Sequence, residues 1–185
     1  IEHPSIISTM DFIKEQGGSP VLLGVDGSGK IDLRQLEESI TDRTALISVM
    51  MANNETGTIQ DIQKIAEAGK RHGVLVHTDA VQAAGKIPID VKKLGVDYLS
   101  LSGHKIYAPK GIGILYVRKN APYCPFIHGG HQEAGRRAGT LNNMGIIAMG
   151  RAAELAASEM QGEYKKLQKM RDRLKAGIIK SIPDI

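Results

Sequence analysis

The segment His77-Thr78-Asp79-Ala80-Val81-Gln82 decides the fold, because it continues an apolar run from Val74 that is typical of a buried strand. A second segment, Ser102-Gly103-His104-Lys105, follows another apolar run in the same way. Open α/β sheets bind their ligands where strands of this kind end. The two segments supply a carboxylate, an amide, a hydroxyl, an imidazole and one lysine. That set fits an anionic, nitrogen-containing aromatic cofactor that bonds covalently to an amine.

Pyridoxal phosphate (PLP) is the cofactor that this set predicts, because it needs a Schiff-base lysine and an acidic partner for its ring nitrogen. Taken alone, Asp79 fits an ordinary helix N-cap, and a lysine in a loop is usually solvated. The apolar run before Lys105 indicates instead a desolvated lysine, which is a usable nucleophile. Ser102 and His104 are then the expected phosphate ligands. His3, just before Pro4, is open to two interpretations: a surface or capping histidine, or a ring stacked on the cofactor.

Strand-like and helix-like segments alternate along the chain. Short apolar runs predict strands at Val21–Val25, Ala45–Met50, Val74–Thr78, Tyr98–Ser100 and Ile112–Val117. Amphipathic segments predict helices over 4–16, 33–40 and 60–71, with Asp32 as an N-cap and Gly73 as a stop. Ile62, Ile65, Ala66 and Gly69 share one face of the third helix. The alternation predicts an α/β fold with a mostly parallel central sheet and helices on both faces.

The apolar spacing changes near Asn142. From there to Ile182 it predicts one long helix, or two with a break near Gly162. We therefore expect residues 1–141 to form a PLP-binding core and residues 142–185 to lead toward a second, smaller domain. The chain begins at Ile1 and both of its ends look cut from something longer.

Composition excludes several functional classes. The 185 residues suffice for one domain with a core, and the net charge is only +4. Acidic residues interrupt the basic stretch 165–175, so a solvated helix face is expected there, not a nucleic-acid site. No stretch is long and apolar enough to span a membrane. The one cysteine, Cys124, allows no internal disulfide, which is consistent with a cytoplasmic protein.

Two further motifs partly match a nucleotide-binding loop and a metal site, but neither match is complete. Gly24–Lys30 fits the first seven positions of a P-loop, but Ile31 stands where a hydroxyl should hold magnesium, so turns are predicted. The run His128–Glu133 has two histidines three residues apart and no supporting cysteine or histidine cluster. With Arg136, Arg137 and Thr140 nearby, this glycine-rich loop is better interpreted as a surface for an anion.

Five motifs in order carry a resemblance to a known family. They are Glu2-His3, Ala52–Gly57, His77–Gln82, Ser102–Lys105 and Gly139-Thr140. Over essentially its whole length the chain resembles the large domain of PLP-dependent cysteine desulfurases, in the class V aminotransferase group of fold-type I enzymes.

The resemblance implies roles at the cofactor ring. Lys105 is the lysine that carries the cofactor, Asp79 pairs with the pyridine nitrogen, and Gln82 contacts the phenolic oxygen. His3 stacks on the ring and helps to move protons.

The resemblance also implies roles around the phosphate and the substrate. Ser102 and His104 bind the phosphate, and Asn54 contacts the cofactor or the substrate carboxylate. Thr140 reaches across a homodimer to the phosphate of the partner.

The implied reaction converts L-cysteine to L-alanine and leaves the sulfur as a persulfide on a separate cysteine. That cysteine, the substrate-binding arginine and an N-terminal phosphate-binding segment are expected outside this chain. Cys124 is not at the family's nucleophile position and is expected to be structural. The chain alone is therefore expected to be inactive. His131 and Ala134 replace a glycine and an arginine that the family usually has.

The parent enzyme would pass sulfur to an acceptor or iron–sulfur scaffold protein, in the assembly of iron–sulfur clusters or thio-cofactors. Two alternatives stay open. One is a selenocysteine lyase or another class V PLP lyase. The other is a non-catalytic module that dimerises or binds a scaffold partner.

Overall fold

A four-stranded sheet forms the centre of the fold in the computed structural model, which describes residues 1–182. Its strands lie side by side in the order β1 (Leu46–Ser48), β2 (Leu75–Asp79), β3 (Tyr98–Ser102) and β4 (Gly113–Val117). The first three strands run parallel, and β4 runs antiparallel to β3. The predicted α/β fold with a mostly parallel sheet is confirmed.

Helices connect the strands and extend from them. They are α1 (Pro4–Glu15), α2 (Leu33–Ser39), α3 (Ile62–His72), α4 (Val91–Leu94) and α5 (Asn143–Ser181), with 3₁₀ turns at Gly103–Ile106 and Gln132–Gly135. Asp32 caps α2 as predicted, because its carboxylate accepts a hydrogen bond from Arg34 N. Gly73 ends α3 in the left-handed conformation, with φ of 69°, which a side chain would strain.

The main core lies between α3 and the sheet. The predicted apolar face of α3 is buried, and Ile65 on it is fully enclosed. It packs against Ile47, Val76 and Leu99 of the first three strands. Gly69 lets α3 approach closely, because a Cβ atom at that position would lie 2.4 Å from Val76 Cγ2. A smaller cluster joins Met149 of α5 to Ile106.

The segment from Asn143 forms one helix that continues through Gly162 without a break. Its first turns bury Met149 and Ala152, whereas all of its residues from Gln161 onward are exposed. None of the helices described has the length and apolar character needed to cross a membrane. The last residues of the predicted 142–185 segment, 183–185, lie outside the described residues.

The predicted strand Val21–Val25 is wrong: this segment has no regular secondary structure, and Val21 and Leu22 are each 68% exposed. A strand requires a neighbour that pairs with its backbone, and within residues 1–182 no strand does so. The Gly24–Lys30 segment forms the predicted turn, in which Asp26 Oδ1 accepts hydrogen bonds from Ser28 N and Lys30 N.

Candidate functional site

Polar side chains line one face of the sheet. Ser48 is the register partner of His77, and Asp79 is the register partner of Ser100. Alternate residues of a strand point to one face, and register partners in a parallel pair share that face. A single row therefore contains Ser48, His77, Asp79, Ser100 and Ser102, and we call it the polar row. It leads to the carboxyl ends of β2 and β3.

His77 joins three strands within the polar row. Its Nδ1 atom lies 2.8 Å from Ser48 Oγ on β1, and its Nε2 atom lies 2.9 Å from Ser100 Oγ on β3. Burial lowers the pKa of His77, and the nearby Asp79 carboxylate opposes this only in part. The ring is therefore neutral at pH 7. Sequence reasoning missed this role, although the alternation of polar and apolar residues in β2 and β3 signals a polar face.

Asp79 is the buried carboxylate at the end of β2. It is 6% exposed, and its Oδ1 atom accepts a hydrogen bond from Val81 N at 2.9 Å. Its backbone is fixed as well, because its carbonyl accepts a hydrogen bond from Met51 N. Turns and no helix follow Asp79, so it is not a helix N-cap: its carboxylate closes a turn and is fixed on the polar row.

The segment Ser102–Lys105 leaves the end of β3 as a tight 3₁₀ turn. Ser102 Oγ lies 2.7 Å from His104 Nδ1. Gly103 is required here because a Cβ atom would lie 2.7 Å from Ile112 Cγ2. The expectation that Lys105 is desolvated is wrong: the side chains of His104 and Lys105 are exposed, because the turn buries Ile106 instead.

A second lysine stands near Lys105. Partial burial, and then the positive charge of Lys105, lower the pKa of Lys86. No ion pair of either amine occurs among the described residues, so two cationic groups share this side of the site. Sequence reasoning did not find Lys86, since its approach to Lys105 depends on how the turns after β2 fold.

The other predicted site residues lie in loops and at a helix start. His3 is the N-cap of α1, and its Nδ1 atom accepts a hydrogen bond from Ser5 N at 3.2 Å, so the capping interpretation holds. Gln82 is half-buried in the turn that follows Asp79. Asn54 and Thr140 are exposed, and neither contacts the polar row through a hydrogen bond among the described residues.

Glu2 was not assigned a role from the sequence, yet it is partly buried beside the site. Its Oε1 atom accepts a hydrogen bond from Met50 N at 2.5 Å. Its Oε2 atom is buried and has no hydrogen-bond partner in the described part of the chain. Burial raises the pKa of Glu2, and the Asp79 carboxylate adds to this effect. Glu2 is therefore close enough to sense the charge at the end of β2.

Cys124 stands apart from these groups. Because β4 is antiparallel, the chain leaves it beside Tyr98, at the edge of the sheet opposite Ser102. Tyr98 donates a hydrogen bond to the carbonyl of Pro122, two residues before Cys124. Cys124 is exposed and so has no packing role in the core, contrary to the expectation of a structural cysteine. Among residues 1–182, no three His, Cys, Asp or Glu side chains cluster closely enough to hold a metal ion.

Comparison with known proteins identifies relatives along the whole chain. The family model described as aminotransferase class-V matches residues 1–185. A cysteine desulfurase of Trichormus azollae is 47% identical over 184 residues, which is 100% of this chain and 46% of that protein. Cysteine desulfurase NifS of Azotobacter vinelandii is 46% identical over 183 residues, covering 99% of this chain and 46% of NifS.

Solved structures agree with the sequence comparison. A structure titled "NIFS-LIKE PROTEIN" has a TM-score of 0.95 at 43% identity and covers 97% of this chain and 50% of its own. One titled "SspA in complex with cysteine" has a TM-score of 0.81 at 42% identity and covers 92% of this chain and 50% of its own. The chain thus spans about half the length of the proteins that it matches.

Proposed function

This chain belongs to the aminotransferase class-V family, and we propose that it is the PLP-binding core of a cysteine desulfurase. The proposed reaction converts L-cysteine to L-alanine and transfers the sulfur to a cysteine thiolate of the longer protein. One observation carries the proposal: the buried Asp79 carboxylate ends β2 next to the strand whose end carries Lys105. The desulfurase relatives and the neighbour that holds cysteine support the substrate class.

The chemistry of the donor set fits PLP. When bound, PLP supplies an electron sink that stabilises the loss of a proton from the substrate's α-carbon. Asp79 would keep a proton on the ring nitrogen, since a fixed carboxylate stabilises the adjacent cation. Gln82, three residues later, would donate its amide hydrogen to the phenolic oxygen. Lys105 Nζ would form the covalent link and then accept and return protons at the substrate carbon.

The phosphate would be held by Ser102 and His104, whose side chains already contact each other. The positive charges of Lys86 and Lys105 on the same side favour an anion there. His3, as the last residue before α1, would place its ring over the cofactor. Asn54 would contact the substrate carboxylate or the cofactor.

The thiolate that takes the sulfur would come from a part of the longer protein outside this chain. The chain leaves β4 toward Cys124 at the edge of the sheet opposite Ser102. This position supports excluding Cys124 as the thiolate that takes the sulfur. We propose a homodimer in which Thr140 reaches the partner's phosphate, and a sulfur-acceptor or iron–sulfur scaffold protein as the next carrier. We place the protein in the cytoplasm.

The decisive experiment tests whether Lys105 is the covalent attachment point. The chain is incubated with PLP, reduced with borohydride, digested and analysed by mass spectrometry. We expect a PLP adduct on the peptide that contains Lys105, no adduct in Lys105→Ala, and an unchanged adduct in the control Lys110→Ala. An equal adduct on Lys110, or none on Lys105, would contradict the proposal.

A further inference from the structure

The first residues of the chain are held at two points by the segment that follows β1. Met50 N donates a hydrogen bond to Glu2 Oε1 at 2.5 Å. Asn53 Nδ2 donates a hydrogen bond to the carbonyl oxygen of Ile1 at 2.8 Å. Both contacts join residues about fifty positions apart in sequence, so they fix the segment Ile1–His3 relative to the sheet.

The hydrogen bond of Glu2 satisfies an amide that the sheet leaves unpaired. Val49 N donates to the His77 carbonyl and Met51 N donates to the Asp79 carbonyl, both on β2. Since amides alternate in direction along an extended chain, Met50 N points away from β2. Met50 is 2% exposed, so this amide is out of reach of water and requires a protein acceptor. Glu2 is that acceptor.

The surroundings of the Glu2 carboxyl group favour its neutral form. Its Oε2 atom is buried without a hydrogen-bond partner among residues 1–182, and burial of this kind disfavours the ionised carboxylate. Burial and the Asp79 carboxylate raise its pKa, whereas the Met50 hydrogen bond opposes the rise. Two neighbouring acids thus have separate tasks: Glu2 accepts a backbone hydrogen bond, and Asp79 belongs to the polar row.

We infer that Glu2 is a positioning residue that acts through His3: its carboxyl group fastens the segment Ile1–His3 to the end of β1 and sets where the His3 ring stands. His3 follows Glu2 directly, and its other constraint is the cap of α1, where Nδ1 accepts from Ser5 N. Release of Glu2 leaves the segment held only by the contact of Asn53 with Ile1 and by the start of α1, so the ring loses the constraint from the residue next to it. The inference rests on the proposed function in that His3 acts on a bound cofactor.

The test compares two substitutions in the full-length protein loaded with PLP. Glu2→Gln keeps a neutral acceptor for Met50 N, whereas Glu2→Ala removes it. We expect Glu2→Ala to lower kcat by about tenfold or more with KM changed by less than about threefold, because a misplaced group costs reactivity more than binding. We also expect Glu2→Ala to change the visible circular dichroism of bound PLP. Glu2→Gln restores both properties, and the exposed control Glu55→Ala leaves them unchanged.

A second measurement is independent of the cofactor. In the PLP-free protein, hydrogen exchange at the Met50 amide is expected to rise about tenfold or more in Glu2→Ala and to stay unchanged in Glu2→Gln. Exchange at the core amide of Val76 reports whether each variant is folded. If the wild-type protein binds no PLP, the proposed function fails. Hydrogen exchange at the Met50 amide would still show whether Glu2 holds the segment Ile1–His3.

Three results would overturn the inference. Glu2→Gln could behave like Glu2→Ala, which would mean that an ionised carboxylate is required. Glu2→Ala could keep wild-type kcat and circular dichroism despite faster Met50 exchange, which would make Glu2 a structural anchor only. Met50 exchange could be the same in all variants, which would mean that Glu2 does not protect this amide.

Discussion

His77 Nε2 lies 2.9 Å from Ser100 Oγ, so side chains as well as backbone hydrogen bonds tie β2 to β3. The other ring nitrogen contacts Ser48 on β1, which extends the connection across three strands. A neutral imidazole donates from one nitrogen and accepts at the other, and a serine hydroxyl can meet either need. Both serines therefore satisfy the uncharged ring, while burial lowers its pKa and so disfavours the charged form.

This arrangement predicts a dependence of stability on pH. The pKa of His77 in the folded chain lies below its ordinary value of 6.5. As the pH falls below about 7, the unfolded chain takes up a proton at His77 before the folded chain does, so the free energy of unfolding decreases toward pH 5. In His77→Gln this contribution is absent. We expect the variant's free energy of unfolding, measured with urea at pH 7 and pH 5, to change less than that of the wild type.

The matched control is His128→Gln, whose side chain is exposed in the glycine-rich loop. It should show the same decrease between the two pH values as the wild type. Equal decreases in wild type and His77→Gln would show that the folded ring takes up its proton as readily as the unfolded one.

The elements that sequence predicted best are those whose pattern is local. The buried face of α3 repeats with helical spacing, and Asp32 and Gly73 mark helix ends by their own chemistry. Val21–Val25 has the composition of a strand but no partner within residues 1–182, and composition does not reveal pairing. The sequence allows either one helix through Gly162 or a break there, since a glycine weakens a helix without ending it.

In the candidate site, too, the features set by local sequence were predicted and those set by distant segments were not. The strand ends were predicted at Thr78 and Ser100, where the apolar runs end, and the strands extend slightly further, to Asp79 and Ser102. The exposure of Lys105, the contacts of His77 and the burial of Glu2 depend on segments that are distant in sequence and meet only in the fold. Those features could not be obtained from spacing alone.

Asp97 and Arg118 form the ion pair that we expect to matter most for stability. Asp97 is 7% exposed; its Oδ2 atom accepts from Val76 N at 2.8 Å, and its Oδ1 atom accepts from Arg118 Nε at 2.6 Å. Asp97→Ala leaves a buried strand amide without its acceptor, so we expect a loss of about 2–3 kcal/mol in the free energy of unfolding. The control Arg34→Ala removes a solvent-exposed pair with Glu38 and should change the free energy of unfolding by less than about 1 kcal/mol. Similar losses in both variants would contradict this assignment.

Two helical glycines should respond to alanine with opposite signs. In Gly69→Ala the new Cβ atom would lie 2.4 Å from Val76 Cγ2 and 3.0 Å from the Val74 carbonyl oxygen, inside the packed core. We expect this variant to lose about 1–3 kcal/mol in the free energy of unfolding. A Cβ atom at Gly162 meets no atom within 4 Å among the described residues, so Gly162→Ala should gain up to about 1 kcal/mol. A stabilising Gly69→Ala would show that α3 can move away from the sheet at little cost.

Asp79→Asn separates the charge of this residue from its hydrogen bond. The Asn side-chain oxygen can still accept from Val81 N, so the turn after β2 should keep its structure and the free energy of unfolding should change by less than about 1 kcal/mol. The proposed partnership with a protonated ring nitrogen requires the negative charge, and the loss of a charge-assisted hydrogen bond weakens binding by about tenfold to a hundredfold. Equilibrium dialysis with PLP measures the affinity, and the exposed Asp42→Ala is the control that should bind like the wild type. Wild-type affinity in Asp79→Asn would mean that the buried carboxylate serves only the turn.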